Sequence, residues 1–376
     1  MAQKVQWLTT AGIYPLTVQS PTIAAVPYPL ANRTPPLATL LRRIVTVPCM
    51  LVAAVVVIGT LPVTVVVAAV VDVVLRRWRF GTVRIVGFLA WYLFITVLVQ
   101  LHGAVIWLVT LFGRRSQTER AMAMQYATIR WWIAMMLGGL RVMFGLRIEP
   151  DHPELLVGPS IVVARHQSLA DVFLPTGLSI IGNGTWVRVV LTAGLVNEPS
   201  LDLFGHRTPQ YFIQRNSKDP RAEVEALARL AEHTDDNTAL IIFPEGGLFR
   251  EDRKEQVLAS LEKRDPIQAE RGRHLQHLLP PRVAGFTGLL DGAPHADVVV
   301  VGHVGYDELT EPRTIWKSVP LRQPAKVSVR RFDRAEIPQD ADGRRDWLND
   351  RWSEMDDWIN SEKAARGAAL TDREGK

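Results

Sequence analysis

A histidine and an aspartate five positions apart, His166 and Asp171, follow a short β-branched run, Ile161-Val162-Val163-Ala164. An imidazole titrates near neutrality and accepts a proton from a hydroxyl. A carboxylate beside it fixes the tautomer and stabilises the imidazolium. On one continuous helix, positions i and i+5 point about 140° apart. The spacing therefore predicts His166 in a loop after a strand, with Asp171 on the first turns of the next helix. No Gly-x-Ser-x-Gly elbow occurs in the chain, so the nucleophile must be a hydroxyl of the substrate. Taken alone, His-x-x-x-x-Asp is a common spacing.

Two further groups carry chemistry. In Ile242-Phe243-Pro244-Glu245-Gly246-Gly247, Pro244 ends a strand because it cannot donate to the ladder. Glu245 then stands at a strand end, where α/β sheets bind ligands, and the glycines let a substrate approach the backbone. In Tyr211-Phe212-Ile213-Gln214-Arg215, Arg215 is a candidate phosphate clamp. Each has an ordinary reading in isolation: a strand-to-loop turn with an exposed glutamate, and a solvated surface arginine.

These residues need a sheet. Short β-branched runs (160–165, 186–191, 211–214, 239–243, 298–301 and 326–330) alternate with helical patterns. Asp219-Pro220 reads as a helix cap with Pro at the first helical position, and Val224, Leu227 and Leu230 mark one apolar face. The fold class is α/β: a mixed central sheet flanked by helices, preceded by an N-terminal helical membrane anchor. Residues 248–277 read as a charged helical insertion. A last helix carries Leu348, Trp352, Met355 and Ile359 at packing positions.

The anchor lies upstream. Residues 44–75 carry one charge, Asp72, and residues 85–113 carry none, although they include Gln100 and His102. Each run exceeds the ~20 apolar residues that cross a bilayer. Basic clusters flank both: Arg33, Arg42 and Arg43; then Arg76, Arg77, Arg79 and Arg84; then Arg114, Arg115 and Arg120. Basic flanks favour the cytoplasm, and all three clusters stay there only if each run enters and returns. Gly59 and Pro62 offer a turn inside the first run, so two re-entrant anchors are favoured over two crossings. The helical stretch 118–146 reads equally as an interfacial or a core-packing helix. The expected organisation is an irregular tail (1–43), an anchor (44–115), a linking, interfacial helix (116–147), a catalytic domain (148–362) and a C-terminal tail (363–376).

Charge and cysteine content exclude other classes. With 43 basic against 38 acidic residues, the excess is too small to point to nucleic acid. The basic residues crowd beside apolar stretches instead, which suits an anionic membrane surface. The single cysteine, Cys49, forms no intrachain disulfide, and a reducing compartment fits. The first apolar run starts too far from the N-terminus for a secretory signal. No ligand cluster for a metal is evident.

Together and in this order, the motifs resemble those of the 1-acylglycerol-3-phosphate and glycerol-phosphate acyltransferases: Asn-His-x-x-x-x-Asp, Phe-Ile-x-Arg, Phe-Pro-Glu-Gly-Thr and a late apolar strand. The resemblance covers about residues 146–307, and Leu279-Pro280-Pro281-Arg282-Val283-Ala284-Gly285-Phe286 with the strand 299–303 looks like a bacterial branch. It implies a membrane-bound O-acyltransferase in phospholipid biosynthesis. His166 would be the base and Asp171 its orienter. Arg215, Glu245, Gly246, Gly247 and Arg250 would bind the acceptor. The donor would be acyl-CoA or acyl-carrier protein, with no cofactor and no metal. The acceptor would be a glycerolipid hydroxyl, first of all lysophosphatidate, and the domain would face the cytoplasm at the cell membrane. The sequence departs from the pattern at Arg165 (for Asn), Gly247 (for Thr), Leu248 (for Arg, with Arg250 following) and Thr192-Ala193-Gly194-Leu195 (for a lysine-rich turn). These changes touch acceptor binding more than the catalytic pair. A glycolipid or amino-lipid acceptor, or a non-catalytic lipid-binding module, is the alternative.

Overall fold

The computed structural model describes residues 36–168, 170–214 and 217–374. Among them, β1 (Ile148–Pro150), β2 (Ser160–Ala164), β3 (Trp186–Thr192), β4 (Tyr211–Ile213), β5 (Thr238–Ile242), β6 (Asp297–Val304) and β7 (Ala325–Phe332) form one sheet. Its order is β1-β7-β6-β2-β5-β3-β4. All neighbours are parallel except the antiparallel pair β6 and β7, so the sheet is mixed, as expected. The expected strand at 298–301 extends to Val304 and brings His303 into the sheet.

The helices are α1 (Pro36–Gly59), α2 (Leu61–Val74), α3 (Gly81–Val109), α4 (Glu119–Phe144), α5 (Phe173–Gly177), α6 (Pro199–Gly205), α7 (Pro220–Ala231), α8 (Glu251–Glu262), α9 (Pro266–His274), α10 (Val283–Gly292), α11 (Pro312–Ser318) and α12 (Ala341–Glu374). The central strands are apolar on both faces because helices cover both. Val162, Ile241, Val299 and Val301 face α4 and α5. Ile161, Leu240, Val298 and Val300 face α7, α10 and α12. Trp352 of α12 is fully buried and donates its indole N–H to the Leu279 carbonyl at 3.0 Å.

Helix α4 belongs to the core. Met122, Trp132 and Met136 are buried, and the Tyr126 hydroxyl donates to the Val187 carbonyl at 2.9 Å. Thr118 caps its N-terminus.

The anchor differs from expectation. Neither apolar run folds back on itself. Helices α1 and α2 are separated only at Thr60, and the bonds from Thr60 N to Val56 O and from Thr64 N to Thr60 O (both 2.9 Å) carry the helical repeat through. Pro62 falls in the first turn of α2, where its missing N–H is tolerated, so the chain kinks instead of reversing. The reversal comes at residues 75–80, and α1 and α2 pack on α3 as a helical hairpin. Asp72 is the one acidic residue of the first run. It is fully buried and accepts from Thr82 N, Thr82 Oγ1 and Val83 N, capping α3 from the neighbouring helix. Two segments, Leu37–Gly59 and Gly81–Val109, are long and apolar enough to cross a membrane.

Two boundaries also move. Helix α1 starts inside the stretch expected to be irregular, since Pro36 suits a first helical position and Leu37, Leu40 and Leu41 follow it. Helix α12 continues to Glu374 through the C-terminal stretch, where Ala364, Ala365 and Ala368 favour helix.

Candidate functional site

The site gathers at the C-terminal ends of three adjacent strands, β5, β2 and β6. Strand β2 ends at Ala164, and the chain turns through Arg165, His166 and Gln167 before α5. Asp171 lies in the turn preceding α5, not on its first turn as the spacing suggested. It acts as the hub of that turn: its carboxylate accepts from the backbone N–H of Gln167, from Ser168 N (2.6 Å) and from Ser168 Oγ (2.6 Å).

His166 Nδ1 stands 3.6 Å from Asp171 Oδ2. That is contact distance for an ion pair but long for a hydrogen bond, a looseness common in catalytic pairs before substrate arrives. The imidazole leans on Phe243, with ring centroids 4.8 Å apart, and its side chain keeps 19% exposure while Asp171 has none. With Nδ1 turned to the carboxylate, Nε2 is the nitrogen left to meet a substrate.

A second histidine joins them. His303 is 1% exposed, and its Nε2 lies 3.5 Å from the same Asp171 Oδ2. Its ring meets Tyr306 edge-on at 4.8 Å. The Asp171 carboxylate is held well below the usual carboxylate range. Burial is the largest single influence and pushes it up, but the charges and hydrogen bonds of His303 and His166 together outweigh burial. No motif pointed to His303; the only sequence signal was its place at the end of an apolar strand.

Glu245 also differs from expectation. It is 2% exposed, and both oxygens are engaged: Oε1 accepts from His166 N at 2.7 Å and Oε2 from Leu279 N at 3.0 Å. A carboxylate so occupied clamps three backbone segments together and is not free to bind an acceptor. Burial pushes it up to about 8, against the two N–H bonds and Arg165. Arg165, the departure beside His166, is a buried brace. Its guanidinium donates to the His303 carbonyl (2.5 Å) and the His277 carbonyl (3.4 Å) and faces Asp307 at 3.7 Å.

Gly246 takes a left-handed φ of +63°, and a Cβ there would lie 2.8 Å from Arg282 Nε. At Gly247 a Cβ would lie 2.3 Å from Arg253 Cζ. The glycines therefore make room for two guanidinium groups of the protein itself. Arg250, expected at the acceptor, is exposed and paired with Asp252 (Nε to Oδ1, 2.9 Å). An arginine already held by a neighbouring carboxylate gives a weak anion site. Arg215 lies outside the described residues. No cluster of three or more metal-ligating side chains occurs among the described residues.

The arrangement is a histidine beside a buried carboxylate at the ends of three parallel strands of the mixed sheet, on a turn whose backbone is held by a second buried acid. Residues 148–301 match the acyltransferase family. The matched segment holds His166, Asp171, Glu245, Gly246, Gly247 and Arg250, and stops two residues before His303. Over 265 residues the chain is 24% identical to lysophosphatidylinositol acyltransferase 10 of Caenorhabditis elegans, covering 66% of this chain and 65% of that protein. It is 24% identical to lysocardiolipin acyltransferase 1 of Danio rerio over 60% of this chain and 58% of that one. The chain thus spans 65% and 58% of the length of these two relatives. Both are eukaryotic, and nothing in them assigns the chain to a bacterial branch. Among solved structures, the 1-acyl-sn-glycerophosphate acyltransferase PlsC from Thermotoga maritima aligns with a TM-score of 0.42 and 16% identity, over 72% of this chain and 97% of that one.

Proposed function

We propose that this acyltransferase-family chain moves a fatty acyl group from a thioester, acyl-CoA or acyl-carrier protein, to the hydroxyl of a phosphate-bearing lysoglycerolipid such as lysophosphatidate. The observation that carries this is the partly exposed His166 ring beside the fully buried Asp171 at the C-terminal ends of the strands. His166 Nε2 takes the proton of the acceptor hydroxyl as its oxygen bonds to the thioester carbonyl carbon. The tetrahedral intermediate collapses, the C–S bond breaks, and the leaving thiolate recovers the proton from His166. Asp171 stabilises the imidazolium between these steps. The relatives' names support a lysophospholipid acceptor. The test is purified protein with labelled acyl-CoA and a panel of lysolipids, with products identified by mass. A diacyl phospholipid is expected, and acylation of no glycerolipid in the panel would overturn the reading.

The fold also supports a reading of the anchor. We infer that the helical hairpin lies in the plane of the cytoplasmic leaflet instead of crossing it. Both of its ends are tied to the α/β domain. At one end Arg42 and Arg43 reach Asp202. At the other, Arg77 donates to the Trp316 carbonyl (2.8 Å) and stacks on its ring, and Arg79 reaches the Pro320 carbonyl. Helix α3 is roughly 43 Å long at 1.5 Å per residue, so a crossing hairpin would carry one end to the far side, away from contacts it makes here. Val52, Val55, Val63 and Val66 face outward from α1 and α2 as a lipid-facing surface. Cysteines introduced at positions 77 and 218 and labelled from outside intact cells test this: neither should react, and reaction at 77 alone would mean a crossing.

A further inference from the structure

Two arginines converge beside Gly246 and Gly247, with the charge of a third acting on one of them. Arg253 comes from the first turn of α8, Arg264 from the turn between α8 and α9, and Arg282 from the residue before α10. The Arg253 guanidinium lies over Gly247 and donates to the Gly246 carbonyl at 3.2 Å, while its Nε is buried with no partner. The Arg282 side chain lies over Gly246. Its backbone N–H is fixed on the Pro244 carbonyl at 2.9 Å.

Neither Arg253 nor Arg282 has a carboxylate partner among the described residues. Of the acids on the same insertion, Asp252 is paired with Arg250, and Glu262 and Glu270 with Arg273. Burial, then the like charges of Arg253 and Arg264, lower the Arg282 guanidinium from its ordinary value, a sign of crowding without compensation. The loop they cover is joined to the catalytic turn: Phe249 N donates to the His166 carbonyl at 3.1 Å, and Glu245 holds His166 N. Leu248 cannot supply a cation here, and Arg250 is already paired.

We propose that Arg253 and Arg282 form an anion site for a phosphate ester of the substrate. Planar guanidinium groups bind phosphate by paired, charge-assisted hydrogen bonds. In a lysophosphatidate acylated at C1, the free hydroxyl sits on the carbon next to the one bearing phosphate. A phosphate held at this loop therefore keeps the hydroxyl near His166. The phosphate of the acceptor and those of a CoA carrier share this chemistry. The proposal deepens the acyltransferase reading and rests on it.

The experiment has two turnover arms and one binding arm. In the first, acyl-CoA is the donor and lysophosphatidate is compared with an uncharged monoacylglycerol. In the second, monoacylglycerol is the acceptor and acyl-CoA is compared with an acyl N-acetylcysteamine thioester, which has no phosphate. Arg253→Ala and Arg282→Ala are each expected to lower kcat/KM about tenfold or more beyond any loss on the phosphate-free compound. The arm in which this appears identifies the source. Arg253→Lys should recover part of the loss, as a cation without the planar fork. In the binding arm, inorganic phosphate should raise the Tm of the wild type and not that of the double variant. Loss of this phosphate effect is independent of turnover, so it separates failure of the site from failure of the acyltransferase reading. Equal losses on all three substrate pairings, or a phosphate-dependent Tm unchanged in the double variant, would overturn the site.

Discussion

Two turns of this molecule each bury one carboxylate, and they shift its titration in opposite directions. The turn after β2 holds Asp171, and the loop after β5 holds Glu245. Both accept two backbone N–H groups and both are almost fully buried. Yet Asp171 is pushed down and Glu245 is pushed up to about 8. The difference is in what else they face. Asp171 Oδ2 looks at two imidazoles within 3.6 Å. Glu245 has only peptide N–H groups in contact, with Arg165 at longer range and Asp171 opposing it. Equal burial thus favours the charged form of the carboxylate that faces imidazoles and disfavours it in the one that clamps the backbone.

Several substitutions separate the two roles. The largest effect is expected at His166. His166→Ala should lower turnover by about 10²–10⁴ with folding intact, measured as acyl-CoA consumption beside a thermal melt; near-normal turnover in folded protein would falsify the base assignment. Asp171→Asn comes next. It keeps the shape but removes the charge facing two histidines, so kcat should fall severely while KM changes little. Because Asp171 is depressed in the fold, its contribution to stability is present above the ordinary carboxylate range and lost as pH falls, and the Asn variant should flatten that acid loss.

Glu245→Gln tests the clamp. An amide offers one acceptor where two N–H groups need one each, so a loss of about 1–3 kcal/mol in stability is expected, with a smaller fall in kcat than at Asp171. The pH dependence has the opposite sign. Glu245 is raised, so wild-type stability should decline as pH climbs from the ordinary carboxylate range toward about 8, and the decline should be smaller in the Gln variant. A greater turnover loss in Glu245→Gln than in Asp171→Asn would exchange the two roles.

His303→Phe sharpens the comparison further. It removes one of the two imidazoles facing Asp171, so kcat should fall by less than in Asp171→Asn. His303→Gln, which keeps a donor, should restore most of that loss. Turnover unchanged in both variants would make His303 a packing residue. The smallest effect is expected at Arg250, whose exposed pair with Asp252 should leave kcat/KM within about twofold on removal.

Much of this protein was legible in its sequence because the signals are local. Alternating β-branched runs and helical faces fixed the mixed α/β class, since strand and helix periods follow from backbone geometry. The length of the apolar runs marked the two long helices, and His166 with Asp171 was readable because both lie on one turn. Tertiary structure decided the rest, because each remaining feature joins residues distant in the chain. His303 reaches Asp171 only because β6 lies beside β2. Glu245 became a clamp because Leu279 and His166 present N–H groups to it from two other segments. Arg253 and Arg282 lie over the two glycines because the charged stretch carrying Arg253 and the segment before α10 fold back onto the same loop. Composition showed that the N-terminal runs are apolar; only the contacts of Arg42, Arg43 and Arg77 with Asp202 and Trp316 showed that both ends of the hairpin meet the same domain. Local propensity acts over one or two turns of chain. Charge state, free valence and orientation depend on which surfaces the whole fold brings within a few ångströms.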